Sequence, residues 1–188
     1  MLTSDAFAYR QTKTCLADEE RDPAAPTNLP TCARGQTGWP VRWSMREVSY
    51  WVYRGGHDGT RPGENGEIAP SLLRTVRKGV EAWNEEGCSD FTFIYEGLTD
   101  VSRHFPEDGV NVITWVDDGW AESSATIALT TTTMTQQGEL VDADMEFNVR
   151  AHRFTITDAP GTGAFDLGNT TTHEAGHMLG LDEAPHED

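Results

Sequence analysis

The chain carries the stretch His173-Glu174-Ala175-Gly176-His177 near its end. Two histidines four residues apart lie on the same face of an α-helix, one turn apart, so both imidazoles can reach one metal ion. The glutamate that follows the first histidine then lies beside a metal-bound water, where a general base is needed. The stretch therefore predicts a metal-binding helix, with His173 and His177 as ligands and Glu174 as the catalytic group.

The residues after His177 supply the candidates for a third ligand. Gly180 favours a helix end at which the chain turns back beneath the metal. In the pattern H-E-x-x-H-x-x-G-x-x-H the last histidine is the third zinc ligand, and Glu183 occupies that position here. A carboxylate oxygen also binds zinc, so we predict Glu183 as the third ligand, with His186 as the alternative. Asp182 is a further candidate. Two imidazoles with a carboxylate favour zinc as the metal.

Length and charge exclude several classes of protein. The chain has 188 residues, of which 37% are hydrophobic, enough for one domain with a core. A net charge of −17 argues against nucleic-acid binding, which needs a basic surface. No stretch approaches the roughly 18–20 apolar residues that span a membrane. We expect a monomer that binds neither nucleic acid nor a membrane.

The chain has three cysteines, at positions 15, 32 and 88. One disulfide is expected, most simply between Cys15 and Cys32, although Cys88 could pair with either and all three could be reduced thiols. Residues 1–5 lack the basic start and apolar core of a signal peptide. We interpret the chain as the mature form of a secreted, extracellular protein.

The pattern of apolar residues predicts an α+β fold. Residues 1–38 are rich in proline, glycine and charge, which is typical of an extended arm, and residues 39–188 are predicted to form the catalytic domain. A helix is predicted from Pro70 to Gly87 and a second helix from about Asp166. Period-two and β-branched patterns predict strands at 48–53, 91–95, 110–116, 125–134 and 140–149.

The helix that carries the two histidines has a low intrinsic helix propensity. Gly168, Thr170, Thr171, Thr172 and Gly176 all disfavour a helix relative to alanine. Packing and a metal are expected to hold it, and such a local conflict is typical of a functional site.

The order of elements resembles the matrixin branch of the metzincin metalloproteases, and in particular secreted matrixin-like proteases of the myxobacterial type. The four similar segments are 72–83 with 91–93, 111–115, 127–131 with 142–148, and 172–181. They cover the chain from about residue 40 to residue 183. Only the last segment is a strict motif, and the other three are similar in kind and order.

The resemblance implies a twisted, mostly parallel sheet with an antiparallel edge strand, a backing helix and an active-site helix. It also implies zinc-dependent cleavage of a peptide that adds as an antiparallel strand to the edge of the sheet. The residues that would bind the peptide are Ile127, Ala128, Leu129 and Thr130.

The chain departs from the family pattern in two ways. Glu183 replaces the third histidine, and no methionine follows Met178, whereas the family places a methionine turn beneath the metal. The domain is therefore interpreted as truncated or divergent at its C-terminal end. The alternative functions are a protein that binds zinc or peptide without turnover and a zinc hydrolase with a non-peptide substrate.

A second cluster of polar residues is weaker as evidence of a site. Asp142, Asp144 and Glu146 alternate along one predicted strand and could bind Ca²⁺ with Asp117 or Asp118. In so acidic a chain we favour a solvated acidic face instead. His57, His104 and His152 are interpreted as ordinary surface or core residues, and Trp120 as a candidate for substrate contact.

Overall fold

The computed structural model describes residues 9–11, 39–55, 67–85, 87, 89–156 and 163–183. The two helices of these regions are α1 (Pro70–Glu81) and α2 (Leu167–Met178). The strands are β1 (Tyr9–Gln11), β2 (Glu47–Tyr53), β3 (Thr92–Thr99), β4 (Val112–Val116), β5 (Ala128–Met134), β6 (Leu140–Asn148), β7 (Arg153–Thr155), β8 (Ala164–Asp166) and β9 (Leu181–Glu183). The predictions for Cys15, Cys32, Cys88, His57 and His186 fall outside the described residues.

Five strands form one sheet in the order β3-β2-β4-β6-β5. Strand β2 is parallel to β3 and β4, and β4 is parallel to β6. Strand β5 pairs antiparallel with β6 and lies at the edge of the sheet. The predicted α+β class and the mostly parallel sheet with an antiparallel edge strand are confirmed.

Helix α1 begins at Pro70, as predicted, since proline suits the first helical position. It ends earlier than predicted, at Glu81, and continues as a short 3₁₀ helix over Ala82–Glu85. Gly79 lets α2 approach closely, because a Cβ at this position would lie 2.7 Å from the Thr171 Cβ. The indole of Trp83 also donates a hydrogen bond to the Thr172 carbonyl at 2.9 Å.

The core lies between the sheet and the two helices, where apolar side chains of both layers lose their contact with water. Its largest fully buried side chains are Tyr50, Phe147, Leu72, Ile113, Met145, Leu167 and Met178. The core therefore fixes α2, which carries the histidines, against the sheet.

Strand β6 presents its acidic residues to the face of the sheet opposite the helices. Asp142 and Asp144 are each 1% exposed and Glu146 is 6% exposed, so the interpretation of a solvated acidic face is wrong. Residues 101–110 cover this face. The backbone N–H of Phe105 donates to Asp144 Oδ2 at 3.2 Å, and that of Val112 donates to Asp144 Oδ1 at 2.8 Å.

Two pairs of short strands were not predicted. Strand β1 pairs antiparallel with β9, and β7 pairs parallel with β8. Part of the predicted N-terminal arm is therefore a strand, with Tyr9 opposite Glu183. Among the described helices, none is long and apolar enough to cross a membrane.

Candidate active site

Helix α2 begins with a side-chain cap. Asp166 Oδ1 accepts a hydrogen bond from the backbone N–H of Asn169 at 2.7 Å, which satisfies one of the open donors of the first turn. The hydroxyls of Thr170, Thr171 and Thr172 each donate to the carbonyl four residues earlier, at 2.8, 2.7 and 3.0 Å. These bonds accommodate the threonines that made the helix a poor one in sequence terms.

The two histidines of α2 direct the same ring nitrogen at one point. His173 Nε2 and His177 Nε2 are 3.2 Å apart, and the ring planes are 87° from parallel. Two Zn–N bonds of about 2.0–2.1 Å at a tetrahedral angle place their nitrogens about 3.3 Å apart. The observed separation fits two ligands of one zinc ion.

The turn after α2 fixes the orientation of the second histidine. His177 Nδ1 lies 2.8 Å from the carbonyl oxygen of Leu181. A carbonyl only accepts, so Nδ1 carries the hydrogen and Nε2 presents its lone pair, as in a metal-binding histidine. Gly180 makes this possible with φ +84°, and a Cβ there would lie only 2.7 Å from the Val41 carbonyl oxygen.

The side chain of Glu174 extends from α2 toward the edge strand β5, and the residue is only 6% exposed. The hydroxyl of Thr130 in β5 lies 2.8 Å from Glu174 Oε2 and 3.0 Å from the Glu174 carbonyl oxygen. Thr130 was predicted to bind a peptide substrate, but its side-chain contact with Glu174 was not predicted. The threonine cluster on a predicted edge strand was the only signal that pointed to it.

The third ligand is not fixed by these residues. Glu183 lies in β9, just after the Gly180 turn, but its side chain is not among those described. Asp182 lies in the same strand and is half-buried. Within the described regions, no three His, Cys, Asp or Glu side chains are grouped to hold one metal ion. The assignment of Glu183, with His186 as the alternative, stays a prediction.

Among the residues that the structure describes, no strand pairs with the outer edge of β5, which therefore has the geometry to accept a further strand. Asn148 N–H donates to the Ile127 carbonyl at 3.0 Å, and the two residues are directly opposite in the antiparallel register. Because hydrogen-bonded pairs alternate along an antiparallel ladder, Leu129 also faces β6. Ala128 and Thr130 therefore direct their backbone N–H and C=O to the open edge.

The buried acids of β6 form a separate cluster. Burial raises the pKa of Asp144 to about 8 and that of Asp142 to about 6. His104 Nδ1 is 2.9 Å from Glu146 Oε2, so His104 contacts this cluster.

Asp117 and Asp118, which were predicted to complete a calcium site, lie outside residues 101–110, the segment that covers the acids of β6. Asp118 is largely exposed, with its side chain 3.7 Å from Arg150 Nη1, and its carbonyl accepts a hydrogen bond from Arg103. Arg103 Nη1 also lies 4.0 Å from Glu146 Oε1. The Arg103 guanidinium therefore already provides positive charge beside Glu146. Calcium binding stays a prediction.

Trp120 lies in the loop before β5, as predicted. Its indole N–H donates to the Ser123 carbonyl at 3.1 Å, which stabilises the loop itself. Contact with a substrate stays a prediction for this residue.

The chain matches none of the models of known protein families, and it matches no curated protein sequence. The resemblance to matrixins therefore rests on the residues quoted above and stays a prediction.

Proposed function

We propose that the chain is a zinc-dependent endopeptidase. The convergence of His173 Nε2 and His177 Nε2, 3.2 Å apart, carries the proposal. The carbonyl of Leu181 sets the tautomer that a ligand needs. The buried carboxylate of Glu174 follows the first histidine directly, and mere metal binding does not require it.

The residues of the site have distinct roles. His173 and His177 would hold zinc, with Glu183 as the proposed third ligand. When bound, zinc supplies Lewis acidity, which lowers the pKa of a coordinated water toward roughly 7 and polarises the peptide carbonyl. Glu174 accepts a proton from the attacking water and then delivers it to the leaving nitrogen.

The substrate would be a peptide in extended form. It would add as a strand to the open edge of β5, with hydrogen bonds to the backbones of Ala128 and Thr130. Such bonds do not depend on the side chains of the peptide. The same edge strand contacts Glu174 through Thr130, so the scissile bond and the general base would meet at one place.

A second candidate is a protein of the same fold that binds zinc or peptide without turnover. It is favoured by Glu183 at the position of the third histidine. The two candidates differ in the need for Glu174, which only hydrolysis requires.

The test is digestion of a denatured protein substrate by the zinc-loaded chain, with and without a chelator. We expect chelator-sensitive cleavage, and Glu174→Gln should lower it by at least about 100-fold while zinc content stays near one per chain. The control is Glu122→Gln, which changes an exposed glutamate in the loop before β5. Zinc binding without cleavage supports the second candidate, and a chain that takes up no zinc contradicts both the endopeptidase and a zinc-binding protein.

A further inference from the structure

The backbone and the side chain of Thr130 face different parts of the molecule. Its backbone N–H and C=O face the open edge of β5, as the register with β6 requires. Its side chain contacts α2, where the hydroxyl is bonded to Glu174. In a strand the polar backbone groups lie in the plane of the sheet and the side chains leave it, so one residue can serve both.

We propose that Thr130 is a positioning residue that fixes the carboxylate of Glu174 relative to the peptide paired at the same residue. The inference rests on the proposed endopeptidase function and adds a specific cause for the orientation of the general base. It also explains why a threonine, with a hydroxyl at Cβ, lies at this point of an edge strand.

The hydrogen-bond geometry defines which oxygen Thr130 holds. The hydroxyl has one hydrogen and two acceptors within reach, Oε2 at 2.8 Å and the Glu174 carbonyl at 3.0 Å. Donation to the charged carboxylate is the stronger of the two bonds. An oxygen that already accepts this hydrogen is the poorer site for another proton.

Proton transfer would therefore use the other carboxylate oxygen, Oε1. The O–H bond of the attacking water breaks, its proton forms a bond to Oε1, and its oxygen forms a bond to the peptide carbonyl carbon. The C–N bond then breaks, and the proton leaves Oε1 for the nitrogen of the departing amine, which restores the carboxylate. Throughout this exchange the bond from Thr130 to Oε2 is kept, so the side chain of Glu174 does not have to reorient between the two transfers.

The variants Thr130→Val and Thr130→Ser separate the hydroxyl from the shape of the side chain. Valine keeps the branched shape and the backbone groups but removes the donor, so we expect kcat to fall about tenfold with KM within about twofold. Serine keeps the donor and should restore most of kcat. The matched control is Thr131→Val, because the side chain of the next residue leaves the other face of the strand.

A crystal structure of each variant gives a measurement that does not depend on activity. We expect the Glu174 carboxylate to be displaced in Thr130→Val and to keep its wild-type position in Thr130→Ser and Thr131→Val. An unmoved carboxylate in Thr130→Val overturns the inference, as does an equal loss of kcat in Thr131→Val. A zinc-loaded wild type that cleaves nothing contradicts the proposed function instead, while the displacement still decides whether Thr130 positions Glu174.

Discussion

Two buried sets of carboxylates on opposite sides of the sheet differ in what surrounds them. Glu174 accepts a hydrogen bond from a hydroxyl of the edge strand, and it directly follows the first of two histidines whose rings converge. Asp144 is enclosed by residues 101–110 and accepts two backbone N–H bonds. Both are nearly inaccessible to water, so burial of an acid does not by itself identify a catalytic site.

The two sites differ in the group that donates a hydrogen bond to the carboxylate and in whether a further strand can pair beside it. Backbone N–H groups hold Asp144 in a closed arrangement that ties a loop to β6, which is a structural role. Glu174 is instead held by a side chain at an open sheet edge, where a further strand can pair. Under the proposed function, the helix side of the sheet would carry the chemistry, whereas the acidic side stabilises the fold.

Removal of Asp144 should give the largest effect on stability. Asp144→Ala leaves the N–H groups of Phe105 and Val112 without their acceptor, and each buried unsatisfied donor costs about 1–3 kcal/mol. We expect the free energy of unfolding to fall by about 3 kcal/mol, measured by urea denaturation. Zinc content and specific activity of the folded fraction should stay at wild-type levels. A loss of zinc from folded Asp144→Ala would show that the two sides are coupled.

A smaller effect is expected from Gly180→Ala at the end of α2. Alanine is strained at φ +84° and would crowd the Val41 carbonyl, so the turn must shift and weaken the bond between His177 and Leu181. Loss of such a supporting bond lowers metal affinity by about 10–100-fold, and the backbone strain costs about 1–3 kcal/mol. Competition with a chelator measures the zinc affinity.

The matched control for Gly180→Ala is Gly163→Ala. That glycine also has a positive φ, +91°, but a Cβ there meets no atom within 4 Å. It should reduce stability through backbone strain alone and leave zinc affinity unchanged. Equal zinc affinities in the two variants would contradict the role of the turn.

Sequence patterns predicted the main strands and both helices because apolar spacing, β-branched runs and the spacing of His173 and His177 are local features of the chain. Pro70 and the apolar stripe of Leu72, Leu73, Val76, Val80 and Trp83 predicted α1. Of these, Leu72, Val76 and Val80 are buried, and Leu73 and Trp83 are half-buried. The pairs β1–β9 and β7–β8 were missed since three-residue strands carry no periodic signal. Their pairing is set by contacts between distant segments.

The same local reasoning found part of the site and failed on the acids of β6. The spacing of His173 and His177 is a helical property, so it was sufficient to predict that their rings converge. The burial of Asp142 and Asp144 depends on the path of residues 101–110, which no pattern within β6 contains. The contact of Thr130 with Glu174 likewise depends on how β5 packs against α2.

The packing of α1 against α2 can be tested without touching either set of acids. Gly79→Ala would place a Cβ 2.7 Å from Thr171 Cβ and 3.0 Å from the Gly168 carbonyl, so the helices must separate. Overpacking of this kind costs about 1–3 kcal/mol, partly offset by the higher helix propensity of alanine. Thermal unfolding measures the loss. Gly87→Ala is the control, since a Cβ there meets nothing within 4 Å.

The acids of β6 also predict a dependence of stability on pH. The pKa of Asp144 is raised to about 8 and that of Asp142 to about 6, chiefly by burial, whereas both lie near 3.9 in an unfolded chain. Between these values the folded state binds more protons than the unfolded state, so stability falls as pH rises from about 4 to 8.

Asp142→Asn should make this fall less steep, because it removes one of the two titrating groups and the charge that raises the pKa of Asp144. We expect the free energy of unfolding lost between pH 5 and pH 8 to be about 1 kcal/mol smaller than in the wild type, measured by urea denaturation at several pH values. Glu122→Gln, at an exposed position, should keep the wild-type slope. An identical slope in Asp142→Asn would mean that this carboxyl titrates as it does in the unfolded chain. Burial on the acidic side of the sheet would then not raise the pKa of Asp142.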